Sequence, residues 1–199
     1  VRKKIIIVSL GVLAVLAGAM FSAKAAEAKV VKNAIIEKIS HSAKTLEAVK
    51  SGTTYVVDAK NAKIRKGSSG SKSLKYSKVK KGDVINIEGS FDDKDVTATK
   101  IRDLSYNNKK TATFYGVIDS LTESTKTFKI DTLDRDKQTV AVLNSTDIEN
   151  KDGHDIDFSD LQENDKILVR GKWSDKNNTI TKTKWVTILD KDNYEDLDD

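Results

Sequence analysis

The stretch KKGDVINIEGSF at residues 80–91 decides the reading of this chain, because a variant of it, ENDKILVRGKW, returns at residues 163–173. In both copies a charged turn leads into an alternating strand that ends on glycine and, two residues on, an aromatic. Asp83 answers Asp165, Ile85 answers Ile167, Ile87 answers Val169, Gly89 answers Gly171 and Phe91 answers Trp173, all at one offset of 82. The chain is an internal duplication. A period of two puts Ile85 and Ile87 inward and Asn86 and Glu88 outward on a half-buried strand.

Upstream of that strand, VVKNAIIEKIS, TLEAV and TTYVVDA are short β-rich runs separated by turn-prone HSAK and KSG, which predicts a three-stranded meander. Residues 61–74, NAKIRKGSSGSKSL, hold Gly67, Gly70 and four serines and predict a mobile, wholly basic loop. A single helical turn is expected over 75–79. Downstream, FDDKD predicts a hairpin turn and VTATKIRDL a fifth strand. After the junction LSYNNKKTA the series recurs: FYGVIDSL, TFKIDTL, QTVAVL, the polar loop NSTDIENKDGHDID, a short FSDL turn, DKILVRG, the turn WSDKNN and TITKTKWVTIL. Ile36 pairs with Ile118, Ile39 with Leu121 and Leu46 with Phe128 at offset 82, while Ile64 pairs with Ile148 and Val96 with Ile180 at offset 84. The drift falls in loops, where insertions cost little.

The expected fold class is all-β: two tandem five-stranded OB-like barrels, whose closure removes exposed sheet edges, following an N-terminal signal helix. An SH3-like barrel or an open meander sandwich fits the same pattern. The expected domains are 30–106 and 112–190, joined by a linker at 107–111, with 191–199 as an acidic, disordered tail. A domain of roughly 75 residues buries only about 60% of its unfolded surface, so each copy gains from the support of the other.

Residues 1–25 read as a signal peptide: a basic start (Arg2, Lys3, Lys4), an apolar run over 5–21, then Ala23-Lys24-Ala25 in the small-x-small pattern, with cleavage expected after Ala25. The competing reading is an uncleaved anchor, since 17 residues just span a bilayer core. Localisation is therefore expected to be exported: periplasmic, cell-surface or extracellular. Membrane contact is expected only if the segment is retained.

The 199 residues contain no cysteine, which excludes disulfides, thiolate metal sites, cysteine nucleophiles and a lipid-modified N-terminal cysteine. The net charge of +5 conceals an internal split. Residues 26–111 hold 19 Lys and Arg against 10 Asp and Glu, net +9, whereas residues 112–199 hold 12 against 20, net −8.

The basic half supplies the polyanion-binding candidates Lys60, Lys63, Arg65, Lys66, Lys72, Lys75, Lys78, Lys80 and Lys81, which flank the expected barrel mouth. Counterion release there would favour nucleic acid, an anionic wall polymer or phospholipid headgroups. Tyr55, Tyr76 and Phe91 are the aromatics in the core of this copy, and Tyr76 and Phe91 align with Phe158 and Trp173, which points to shared packing. Acidic clusters at Asp131, Asp134 and Asp136, at Asp152, Asp155 and Asp157, and at Asp92, Asp93 and Asp95 are weak calcium candidates. None completes the D-x-[DN]-x-[DN]-G loop with its late glutamate. His41 and His154 are expected as exposed loop histidines too far apart in sequence to suggest a triad, and G-x-S-x-G is absent. The run at 67–73 has two residues between its glycines where a phosphate-binding loop needs four, so it reads as flexible. No enzyme, no cofactor and no catalytic residue is expected.

The stretches VKKGDVINIEG…VTATKI and LQENDKILVRG…ITKTKW together resemble small exported bacterial domains known only as a domain of unknown function, which occur in tandem and are OB-like. The second copy departs from the pattern with Asn164 in place of the glycine. The resemblance covers both copies, implies the fold and implies no catalytic residues. The expected function is a non-enzymatic envelope binding or structural module that contacts anionic polymer or another protein, or self-associates through its charge-split halves. An OB-type binder of extracellular nucleic acid and a calcium-dependent adhesion or assembly protein are the alternatives.

Overall fold

The computed structural model describes residues 27–69, 72–107 and 109–198; the segment read as a signal peptide lies outside them. The fold is all-β, with short 3-10 turns and, among the described residues, no α-helix. The first repeat contributes β1 (Glu27–Ser40), β2 (Thr45–Lys50), β3 (Thr53–Asp58), β4 (Lys63–Lys66), β5 (Val84–Asp92) and β6 (Asp95–Asp103). The second contributes β7 (Thr111–Thr122), β8 (Thr127–Thr132), β9 (Arg135–Ala141), β10 (Asp147–Glu149), β11 (Lys166–Ser174) and β12 (Thr179–Ile188). The two sheets are wired alike. The first runs β3-β2-β1-β5-β6 and closes into a five-stranded barrel through the parallel pair β3–β6. The second is a mixed six-stranded sheet in the corresponding order, with β9 meeting β12 in parallel at Thr139–Thr179 and Val140–Ile180.

Inward alternation sets the two cores. Ile36, Ile85, Ile87 and Ile101 are fully buried in the first, and Ile118, Ile130, Ile167 and Val169 in the second. The repeated Asp ends a turn that both copies build alike. Lys80 N–H donates to the Asp83 carboxylate at 2.9 Å and Gln162 N–H to that of Asp165 at 2.9 Å. The residue before each Asp is left-handed, Gly82 at φ +81° and Asn164 at φ +69°. Its amide donates at 2.8 Å to the Ile36 or Ile118 carbonyl. Asparagine is among the few side-chain-bearing residues that tolerate this region, which explains the departure at position 164. Gly89 and Gly171 answer a different need. A Cβ on Gly89 would meet Thr97 O at 2.3 Å, and one on Gly171 would meet Ile180 Cγ2 at 2.7 Å. Both glycines sit at register shifts where the next strand bends across them.

The structure corrects three expectations. First, the basic loop at 61–74 and the polar loop at 144–157 each contain a short strand, β4 and β10, which pair in parallel with β6 and β12. Each carries one apolar residue, Ile64 or Ile148, buried among charged neighbours. Second, β1 begins at Glu27 rather than at Val30. Third, the acidic tail is ordered: 3-10 turns lie within Lys191–Asp198, and Tyr194 and Leu197 are 4% and 0% exposed.

These two residues plug a seam between the repeats. Ile35, Val49, Val84 and Leu104 of the first repeat meet Tyr115, Leu168 and Leu189 of the second, with Tyr194 and Leu197 completing the cluster. Ser51 N–H donates to the Tyr194 hydroxyl at 3.0 Å, and Lys166 Nζ donates to its carbonyl at 2.8 Å. The end of the first repeat, just before the linker, belongs to the same seam: the buried Ser105 hydroxyl accepts from Val84 N–H at 2.9 Å and donates to Thr113 O at 2.7 Å. The halves are docked within one chain.

Candidate functional site

A cleft of about 370 Å³ opens on the first repeat, lined by Lys44, Lys60, Lys63, Arg65 and Ser73 around Ala59, Ala62, Ile64, Leu74 and Tyr76. Alternation on β4 produces it. Ile64 turns into the barrel, so its neighbours Lys63 and Arg65 share the opposite face. Ser73 bridges back to Arg65, whose guanidinium donates to the Ser73 hydroxyl at 3.2 Å. Tyr76 forms part of the wall. Its hydroxyl donates to Thr45 O at 3.0 Å, and burial, aided by the Asp58 charge, pushes its pKa up to about 12. The phenol stays neutral. Lys60 also contacts Asp58 at 3.3 Å, an exposed pair that salt screens readily.

Of the sequence candidates, Lys60, Lys63 and Arg65 line the cleft, and Lys72 and Lys75 flank its Ser73–Leu74 wall. The others are dispersed. Lys66 lies on the opposite face of β4, and the Lys78 carbonyl accepts weakly from Arg135 at 3.4 Å. Lys80 Nζ donates to Asp134 O at 2.8 Å, which commits its side chain to the seam, and the Lys81 backbone N–H donates to the Asp134 carboxylate at 3.2 Å, which places that residue there too. Lys44 was missing from the candidates. It is left-handed at φ +54° in the β1–β2 turn, and its counterpart Lys126, at φ +47° and offset 82, was the available signal.

The second repeat builds the same corner with the two strand charges inverted. Asp147 stands where Lys63 does and Glu149 where Arg65 does, and Glu149 bridges to Asp155 as Arg65 bridges to Ser73. Phe158 takes the place of Tyr76 and is buried.

The calcium candidates are not gathered. Asp131 faces Lys137 at 3.9 Å, Asp134 holds Lys81 N–H, Asp136 accepts from Asn178 at 3.4 Å, and Asp157 caps the Phe158–Asp160 turn. Among the described residues no three carboxylate or imidazole groups converge on one point. Asp92, Asp93 and Asp95 bend the β5–β6 hairpin, with Asp93 at φ +55°. His41 and His154 sit in turns of different repeats, and His41 Nε2 contacts Val79 O at 2.9 Å.

A buried ion cluster crosses the seam. Arg135 clamps Asp83 through Nε–Oδ1 at 2.6 Å and an Nη–Oδ2 contact at 2.7 Å, with the guanidinium 5.4 Å from the Tyr106 ring centroid. Asp103, fully buried, accepts the Ser105 and Tyr106 amides through Oδ1 at 2.9 Å each, while Oδ2 has no hydrogen-bond partner. Burial, reinforced by the Asp83 charge, raises its pKa well above the carboxylate range. This cluster runs against the net charges: the cation comes from the acidic half and the acids from the basic half. The cleft lysines therefore remain outside the docking contact.

A tandem β protein with a basic cleft on one repeat and its acidic image on the other is the class these features define. A family profile described as Domain of unknown function (DUF5666) matches residues 35–102 and 115–181, and the chain belongs to that family as two consecutive copies. No curated protein matches the chain.

Proposed function

We propose that the chain is a non-enzymatic binding module of the cell envelope whose first repeat holds a phosphate-bearing anionic polymer in the cleft of Lys44, Lys60, Lys63 and Arg65. The carrying observation is the charge inversion at one structural corner, Lys63 and Arg65 against Asp147 and Glu149. A shared scaffold explains neither sign. Several cations along a groove release counterions when they meet a polyanion, which supplies affinity without chemistry.

The strand order of the first repeat, with its parallel β3–β6 closure, supports reading it as an OB-like barrel, and we assign the second repeat to the same type. OB grooves bind single strands by stacking bases on aromatics. None of the described aromatic side chains is exposed, and Tyr76 is half-buried with its hydroxyl engaged, which favours a wall polymer over nucleic acid. Export rests on the sequence of residues 1–25; cleavage after Ala25 leaves every described strand intact.

The test is titration of residues 26–199 with poly(glycerol phosphate) and with a single-stranded oligonucleotide across a salt series, beside the Lys63→Glu, Arg65→Glu double variant. Binding of the wall-type polymer that weakens steeply with salt and disappears in the variant supports the proposal. Tighter binding of the oligonucleotide selects the nucleic-acid reading, and native affinity in the variant contradicts the site.

A further inference from the structure

On the second repeat, Arg170 departs from the acidic character of its half. It lies on β11, donates from one Nη to the buried Thr113 hydroxyl at 2.7 Å and from the other to Ser68 of the first repeat at 3.0 Å. Among the described residues no charged neighbour acts on it. Burial lowers its pKa and no neighbouring charge offsets this. A partly desolvated guanidinium satisfied only by hydroxyls is a cost to the folded chain, because it forfeits hydration without gaining a counter-charge.

Its surroundings are basic and lie close in the chain to β4. Ser68 is three residues beyond Arg65, so their Cα atoms are at most about 11 Å apart. Gly67 fixes this crossing, since its N–H donates to Asp103 O at 2.7 Å and a Cβ on it would meet Asn107 Nδ2 at 2.7 Å. Lys172 follows Arg170 by two residues on β11 and is exposed, as are Lys109 and Lys110 on the adjoining linker. Arg170 thus has exposed basic residues beside it on the second repeat and, through Ser68, touches the segment that follows β4.

We infer that Arg170 is a second anion subsite of the same surface, placed so that one phosphate-bearing polymer spans both repeats from the cleft to β11. This rests on the polymer-binding reading of the cleft and goes beyond it in requiring the tandem arrangement. A ligand of a few phosphates fills the cleft alone, and a long one reaches Arg170. Arg170 keeps its Nε–H and a second N–H on each Nη beyond the bonds to Thr113 and Ser68, donors that suit contact with a phosphate.

The experiment compares the native chain, Arg170→Gln, Arg170→Lys and the Lys63→Gln, Arg65→Gln double variant, each titrated with tripolyphosphate and with long-chain polyphosphate across a salt series, with melting temperatures recorded without ligand. Arg170→Gln is expected to weaken long-chain binding about tenfold and to reduce the salt slope by about one. Tripolyphosphate binding and melting temperature should hold, or the latter rise, and Arg170→Lys should keep the slope with part of the affinity. Native long-chain affinity in Arg170→Gln overturns the inference while leaving the cleft intact. So does a lower melting temperature with equal losses for both probes, which makes Arg170 a structural staple. Loss of both probes in the cleft variant alone likewise confines binding to the cleft. Absence of binding by the native chain overturns cleft and subsite together.

Discussion

The corner formed by β4 in the first repeat and the corner formed by β10 in the second have the same backbone and opposite charge. Ile64 and Ile148 hold both strands to their sheets, while the outward positions beside them carry Lys63 and Arg65 in one and Asp147 and Glu149 in the other. Inward positions are tied to packing, and a change there opens a cavity or forces strain. Outward positions are released from that constraint, so duplication left them able to diverge. The difference between the repeats is where function has room to reside.

The same lesson appears in the two turn aspartates. Asp83 is clamped by a largely enclosed arginine, 10% exposed, whereas Asp165 faces Lys191 at 3.9 Å with that lysine 59% exposed. Arg135→Ala should therefore cost about 3–5 kcal/mol, because it leaves a buried carboxylate unpaired. Lys191→Ala should stay within about 0.5 kcal/mol. Denaturant unfolding of the two variants measures the contrast. The cluster also predicts a pH response. Since the Asp103 pKa is raised in the folded state, the folded chain holds a proton that the unfolded chain releases above the ordinary carboxylate value. Its contribution to stability falls as pH rises from there toward the raised pKa. Asp103→Asn retains the Oδ1 acceptor for Ser105 and Tyr106 and should flatten that slope in melting curves taken against pH.

Leu197→Ala, in the segment that plugs the seam, should destabilise the chain by about 2–3 kcal/mol although its surroundings in sequence are acidic. Melting that matches the native chain would show that the tail does not support the seam. Exchanging charges sharpens the comparison of corners. Asp147→Lys with Glu149→Arg should give the second repeat a weak polyanion site, read as a binding step that salt removes, at little cost in stability. A smaller contrast separates the two turns. Gly82→Asn should cost about 1–2 kcal/mol, because its Cβ would meet Thr132 O at 3.0 Å and Leu133 Cβ at 3.1 Å across the seam. Asn164→Gly faces solvent in the same backbone conformation and should change stability by a few tenths of a kcal/mol.

The sequence made the sheets legible where apolar alternation was dense. The inward series Ile85, Ile87 and Phe91, repeated as Ile167, Val169 and Trp173, located β5 and β11 and their shared register. It concealed β4 and β10, since K-I-R-K and D-I-E each offer one apolar residue, and only the pairing of Ile64 with Ile148 hinted at them. The tail reads as disordered for the same reason: Tyr194 and Leu197 are two apolar residues in an acidic run, and their burial depends on a seam made from residues distant in sequence. Lys60, Lys63 and Arg65 could be nominated from charge alone. Lys44 could not, because the β1–β2 turn that carries it to the cleft is a tertiary neighbour, and Arg170 was hidden inside a half whose net charge is negative.

The most direct test of the account is amide chemical-shift mapping of residues 26–199 titrated with tripolyphosphate. The account predicts shifts that saturate together at Lys44, Lys60, Lys63, Arg65, Ser73 and Tyr76, with none at Lys126, Asp147, Glu149 and Phe158. Shifts centred on the second repeat, or shared equally by both corners, would contradict it.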